Sequence, residues 1–265
     1  MTKRKASPAA VAVTTPAALD ARKPLTILFF AANPSDTNEL RLDKEAREIE
    51  TRIASASFRH CFDLRTRWAS RPTDLIDALN DHRPGLVHFS GHGAVTGIVL
   101  ESAAGGSHEV GADALSRLFA TVKDEVRCVL LNACSTEQHA IAIAQHIDAA
   151  IGMSASIGDH AAAVFAAAFY RALASGRSVV GAYEQGIATM TVEGTLPRHN
   201  RHYAEDVVQR VFISLLEGAA GTFHPARGRA LTWLKGMTRR EAEQQATPLT
   251  LPLKKLDRLA PRGAS

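Results

Sequence analysis

The sequence predicts an α/β fold in which helices flank a mostly parallel central sheet. Two observations indicate this class. Several runs are continuously apolar, such as Leu25–Ala32, and strands that are covered on both faces have this pattern. Stretches of helical periodicity separate these runs, so that strand and helix alternate along the chain. This alternation is typical of βαβ units with right-handed crossovers.

The elements follow one another in a regular order through Met190. The predicted strands are Leu25–Ala32, Cys61–Trp68, Gly85–Ser90, Val126–Asn132 and Ala149–Met153. An amphipathic helix follows the first strand, with apolar residues at Leu40, Leu42, Ala46, Ile49 and Ile53. Further helices are predicted over Asp74–His82, Ala112–Val122, Thr136–Ile147, Asp159–Ala174 and Val179–Met190. A hairpin turning at Gly105-Gly106 interrupts the series after the third strand.

Composition excludes several classes of protein. The chain has 265 residues, of which 46% are apolar and 22% charged, an ordinary globular balance. No apolar run approaches the ~18 residues typical of a membrane span, so none is expected. Three cysteines without a Cys-x-x-Cys pair argue against a disulfide framework and a zinc ribbon. We therefore expect a cytoplasmic protein with reduced thiols.

The net charge of +4 is unevenly distributed along the chain. Residues 1–24 carry +4 and residues 226–265 carry +6, which leaves −6 for the rest. We predict a disordered basic leader over 1–24, and a helical or irregular appendage with a basic tail over 191–265, including a helix at Ala204–Leu216. Because no basic stripe interleaved with aromatic residues occurs, direct binding to nucleic acid is not expected.

Two predicted strands end in residues that are candidates for catalysis. One strand ends in Ser-Gly-His-Gly, with His92 between two glycines, and another ends in Asn-Ala-Cys-Ser, with Cys134 in a capping-box pattern before a helix. The carboxyl ends of parallel strands share one edge of the sheet, so the imidazole and the thiol would face each other there. A helix N-terminus favours a thiolate. The alternative for Cys134 is a small buried hydrophobe, which suits Cys128 better.

Further residues could complete this edge. The backbone amides of Gly93 and Cys134 could form an oxyanion hole. Asp159 is expected first as a helix cap, and it could also bind a basic substrate side chain. We expect the acidic residues Asp36, Glu39 and Glu45 to be solvated surface charges. The alternative is that they line the crevice at this edge of the sheet. His88 is expected to be a core residue. The alternative is a metal site formed by His88, His92 and Cys134. We expect the protein to bind neither a metal nor a cofactor.

The chain resembles the CHAT family of caspase-like cysteine peptidases, in the clan of caspases, separases and gingipains. Ser-Gly-His-Gly and Asn-Ala-Cys-Ser carry the resemblance, together with the segments 27–34, 40–49 and 159–174. It implies a three-layer caspase-like peptidase domain over residues 25–190. It also implies that His92 is the catalytic histidine, Cys134 the nucleophile, the Gly93 and Cys134 amides the oxyanion site, and Asp159 the acidic position of the substrate pocket.

The resemblance implies an endopeptidase that cleaves a partner protein, with Arg or Lys before the cleaved bond. Such domains often act as effectors in bacterial defence or cell-death systems, so we expect a protein substrate, possibly encoded nearby, and a sensor or activator protein. An inert docking module that keeps the fold is the alternative. A nucleotide-handling domain of the TIR type is disfavoured, because Asn33-Pro34-Ser35-Asp36 stands where a glycine-rich phosphate loop would be needed.

Overall fold

The computed structural model describes residues 24–153, 158–195 and 211–215, the last range through its backbone. The predicted leader, apart from Pro24, and the predicted basic tail lie outside the described residues.

Eight strands and six α-helices make up the described part of the chain. The strands are β1 Leu25–Ala32, β2 Phe62–Arg67, β3 Leu86–Gly91, β4 Ile98–Glu101, β5 Ser107–Val110, β6 Cys128–Asn132, β7 Ala149–Met153 and β8 Val211–Leu215. The helices are α1 Leu42–Ala54, α2 Pro72–His82, α3 Ala112–Thr121, α4 Glu137–Ile143, α5 Asp159–Ala174 and α6 Val179–Val192. The α/β fold class and the alternation of strands and helices are confirmed.

Six of the strands form one sheet in the order β2-β1-β3-β6-β7-β8. The four pairings among β2, β1, β3, β6 and β7 are parallel, and β8 joins β7 antiparallel. The chain moves outward from β1 to β2 and then crosses back to β3, so the winding direction reverses between β1 and β3. Ligands of open parallel sheets bind where such a reversal occurs, outside the carboxyl ends of the strands.

Helices cover both faces of the sheet and form the outer two of three layers. Helices α1, α5 and α6 pack on one face, where a core forms around Phe29, Ile49 and Phe165. Helices α2, α3 and α4 pack on the other face around Phe30, Leu79 and Phe119. Phe29 and Phe30 are adjacent in β1, so their side chains point to opposite faces, and both are fully buried. This two-sided burial explains the uninterrupted apolar run of β1.

The chain departs from the sequence-based expectation at β8. Helical periodicity predicts a helix over Ala204–Leu216, whereas residues 211–215 form a strand paired with β7 from Ala149↔Leu215 to Met153↔Val211. The sequence Val-Phe-Ile-Ser-Leu is rich in β-branched and aromatic residues, which favour strands. Pairing satisfies the backbone groups of β7 on the side away from β6. The predicted domain limits at residues 24 and 190 stay predictions.

Candidate active site

The register between β3 and β6 brings the strand ends that lead to His92 and Cys134 side by side. Ser90 pairs with Asn132 at the end of the ladder, and His92 and Cys134 each follow two residues later. His92 and Cys134 therefore follow neighbouring strand ends at the carboxyl edge of the sheet. Their action as a catalytic pair stays a prediction.

His92 is half-buried, and a backbone carbonyl orients its ring. The ring atom Nε2 lies 2.7 Å from the carbonyl oxygen of Asn38, in the loop that follows β1. A carbonyl can only accept, so Nε2 carries the hydrogen and donates it. In the neutral imidazole this tautomer leaves Nδ1 as the nitrogen that can accept a proton.

The tip of the β4–β5 hairpin holds this loop in place. The Ser35 amide donates to the Gly105 carbonyl over 3.0 Å. The Ser107 amide and hydroxyl donate to the Asp36 carboxylate over 3.0 and 2.6 Å. The hydroxyl and amide of Ser107 hold the pKa of Asp36 below its ordinary value. The hairpin that interrupts the alternating series therefore contacts the loop that orients His92.

Cys134 is half-buried, and it does not directly begin a helix. Helix α4 starts three residues later at Glu137, and no side-chain hydrogen bond caps it. Ser135 adopts a left-handed conformation with φ of 56°. The predicted capping box, with Ser135 as the cap, is therefore wrong: Thr136 occupies the cap position. Its hydroxyl lies 2.8 Å from the Ala133 carbonyl and accepts the Met153 amide over 3.0 Å.

Gly93 packs directly against the backbone of Cys134. A Cβ atom built on Gly93 would overlap the carbonyl oxygen of Cys134 and lie 3.0 Å from its amide nitrogen. The two strand ends thus approach each other as closely as a residue without a side chain allows. This contact is compatible with the predicted oxyanion site at the Gly93 and Cys134 amides, which stays a prediction.

One cavity of about 560 Å³ joins the candidate residues His92, Cys134 and Asp159. Asp159 is exposed and is the first residue of α5, while Gly158 occupies the cap position. The predicted capping role of Asp159 is therefore wrong, although a carboxylate in the first turn still favours the helix dipole. With its side chain free of that role, Asp159 contributes an acidic group to the rim of the cavity.

A buried polar cluster forms the floor of the same cavity and was missed from the sequence. Glu45 of α1 is only 6% exposed, although a solvated position is the default for helix acids. Ser90 and Asn132 hydrogen-bond to its carboxylate, and His88 lies beneath it with Nδ1 3.3 Å from the Tyr170 hydroxyl. His88 is in the core, as predicted. Glu45 lies three residues after Leu42 and four before Ile49, which places it on the apolar face of α1. An acidic residue on that face was the sequence signal that could have indicated a buried carboxylate.

In the part of the chain that the structure describes, no cluster of three or more His, Cys, Asp or Glu residues could hold a metal ion. None of the described helices combines the length and the hydrophobicity that crossing a bilayer requires.

The fold and the site define an α/β protein with a histidine and a cysteine at the carboxyl edge of a parallel sheet. The family model of the CHAT domain matches residues 3–202, about three quarters of the chain. The chain therefore belongs to the CHAT domain family. A second model, Sigma-70 region 2, matches residues 195–246.

Two curated relatives carry protease names. A "Probable protease" of Gillisia limnaea is 29% identical over 153 residues, which are 57% of this chain and 27% of that protein. A "Roc-COR-CHAT protease" from an unknown prokaryotic organism is 25% identical over 161 residues, which are 58% of this chain and 15% of that protein. The chain thus matches only a minor part of each relative's length.

Solved structures show a more distant likeness. The Arg-specific cysteine proteinase gingipain R has a TM-score of 0.49 and 12% identity, covering 73% of this chain and 48% of its own. An inactive zymogen C11 protease from Parabacteroides distasonis has a TM-score of 0.41 and 15% identity, covering 65% and 60%. At these scores the likeness carries no argument about function.

Proposed function

We propose that this chain is a cysteine endopeptidase that cleaves a partner protein. The observation that carries the proposal is that His92 and Cys134 both line one cavity, with the imidazole oriented by the Asn38 carbonyl. Membership of the CHAT family and the protease names of both curated relatives support it. The family also supports a regulated effector of bacterial defence or cell death, with a protein substrate and an activating partner.

The reaction needs a nucleophile and a proton carrier. The Cys134 thiol gives its proton to Nδ1 of His92, and the thiolate sulfur attacks the carbonyl carbon of the scissile bond. The backbone amides of Gly93 and Cys134 stabilise the oxyanion that forms. His92 then delivers the proton to the leaving amine, and a thioester remains on Cys134. Water deprotonated by His92 hydrolyses this thioester and restores the thiol.

Asp159 supports a preference for Arg or Lys before the cleaved bond. Its carboxylate is exposed on the same cavity as His92 and Cys134, which we call the dyad, and lies within the reach of a long basic side chain. A hydrogen bond to a charged group contributes roughly 1.5–3 kcal/mol. Asp159→Asn should therefore reduce kcat/KM for Arg and Lys substrates by roughly 10- to 100-fold. Glu39→Gln, which neutralises another exposed carboxylate of the cavity, is the matched control.

The decisive experiment compares the wild-type chain with Cys134→Ala and His92→Ala. Each protein is incubated with a peptide library that varies the residue before the cleaved bond, and with proteins encoded beside it. We expect cleavage by the wild type, none by either variant, and full activity in Cys61→Ala. Cleavage after Asp would contradict the role of Asp159. No cleavage by the wild type, with candidate activators present, would favour the docking module.

A second role is favoured by the match of residues 195–246 to Sigma-70 region 2. We propose that this segment contacts the bacterial transcription machinery and brings the peptidase to it. Purified full-length chain should co-migrate with core RNA polymerase in size-exclusion chromatography, and added sigma-70 factor should displace it. Separate elution of the two proteins at micromolar concentrations would contradict this role.

A further inference from the structure

The buried carboxylate of Glu45 bonds both strands that lead to the dyad. Its Oε2 accepts the Ser90 hydroxyl over 2.5 Å, and its Oε1 accepts the Asn132 side-chain amide over 2.6 Å. His88 Nε2 lies 3.1 Å from the same Oε1. Each of these four residues is at most 6% exposed. One side chain of α1 therefore contacts β3 and β6 at once.

The two strand contacts lie at equivalent places relative to the dyad. Ser90 and Asn132 are register partners, and each lies two residues before a candidate catalytic residue. The backbone between Ser90 and His92, and between Asn132 and Cys134, is only one residue long. A shift of either strand end along or across the sheet would therefore break a hydrogen bond to Glu45.

The burial of the carboxylate makes these hydrogen bonds costly to lose. A buried polar group that is left without hydrogen-bond partners is strongly unfavourable. The guanidinium of Arg41, just before α1, bonds Asp43 over 3.1 Å. The hydrogen bonds that the described structure gives the Glu45 carboxylate come from β3 and β6.

We propose that Glu45 is a positioning residue that fixes the separation of His92 and Cys134. The inference rests on the proposed function, because a positioning role requires that His92 and Cys134 are the catalytic residues. Glu45 holds the two strand ends in one relative position through Ser90 and Asn132, and it does not itself exchange a proton with the substrate.

Two substitutions at Glu45 separate this role from a general contribution to stability. Glu45→Ala removes both bonds and should lower kcat by about 100-fold with little change in KM, because small misplacements of reacting groups have effects of this size. Glu45→Gln should recover most of kcat, because its amide can accept from Asn132 and donate to Ser90. Glu48→Ala is the control, since that half-exposed carboxylate of the same helix bonds only Arg52 in the described structure.

The measurements are kcat, KM and the melting temperature of each variant. Wild-type kcat in folded Glu45→Ala would overturn the inference, and so would a rise in KM at unchanged kcat. If Glu45→Ala does not fold, Ser90→Ala removes only the Ser90 hydrogen bond and should lower kcat about tenfold; unchanged kcat there would equally overturn it. Retained cleavage in Cys134→Ala would instead contradict the proposed dyad, a result that the Glu45 variants cannot produce.

Discussion

At the scale of single residues, close approach at Gly93 determines what the site can tolerate. Gly93 has no special backbone angle, yet a methyl group there would overlap the carbonyl oxygen of Cys134. The neighbouring Ala133 Cβ would also lie only 3.0 Å away. Backbone atoms cannot move aside as a flexible side chain can. Any larger residue must therefore separate the strand end of His92 from that of Cys134.

We expect Gly93→Ala to reduce kcat by about 100-fold or more, because it displaces the dyad. The matched control is Gly181→Ala in α6, where the nearest atom to the new methyl group lies at an ordinary 3.4 Å. Peptide cleavage and melting temperature measured side by side check this expectation. Equal activity of Gly93→Ala and wild type would show that the strand ends can separate without loss of function.

The sequence was informative about the dyad and uninformative about its support. His92 and Cys134 stand where apolar strands end, and this position alone predicts that they meet. Glu45 stands in a helix that is otherwise ordinary, and its partners lie 45 and 87 residues away. Only the three-dimensional packing of α1 across β3 and β6 shows why an acid occupies the apolar face.

At the scale of elements, the connection from β6 to α4 shows how tertiary contacts override a local motif. Ser-Thr-Glu-Gln predicts a capping box, but Thr136 turns its hydroxyl to the carbonyls of Leu131 and Ala133. The same oxygen accepts the amide of Met153 at the end of β7. Helix α4 also ends earlier than its apolar pattern predicts, at Ile143 rather than Ile147. The connection is thus shaped by β7 more than by its own sequence.

Thr136→Val keeps the size and branching of the side chain and removes its hydroxyl. The Met153 amide would then lose a buried partner, so we expect the free energy of unfolding to fall by roughly 1–3 kcal/mol. Thr51→Val is the control, because that exposed hydroxyl bonds only within its own helix in the described structure. Urea unfolding measures both variants. Equal stability of the two would show that the Thr136 hydroxyl contributes no more than a surface group.

At the scale of the whole molecule, the pH dependence of folding should follow from buried histidine. His139 of α4 is 1% exposed. Burial lowers the pKa of His139 below its ordinary value of 6.5. Below pH 6.5 the unfolded chain therefore takes up a proton that the folded chain does not. The free energy of unfolding consequently falls as the pH falls below 6.5. Above pH 6.5 the stabilising contribution of neutral His139 is complete.

His139→Gln should remove this contribution. We expect the stability of the wild type to fall from pH 7 to pH 5 by up to about 1.4 kcal/mol per pH unit from this group, and the variant to show a correspondingly flatter profile. His108→Gln, at an exposed position of β5, should leave the profile unchanged. Urea unfolding across this pH range provides the measurement. Parallel profiles for wild type and His139→Gln would contradict the assignment.

The contact between the tip of the β4–β5 hairpin and the loop after β1 offers a way to observe the order of His92. The amide protons of Ser35 and Ser107 are bonded only while the hairpin and the loop after β1 remain together. That loop carries the Asn38 carbonyl that orients His92. The exchange of these two protons with deuterium therefore reports on the order of the imidazole from outside the cavity. A latent and a competent form of the site can be distinguished in this way without any substrate.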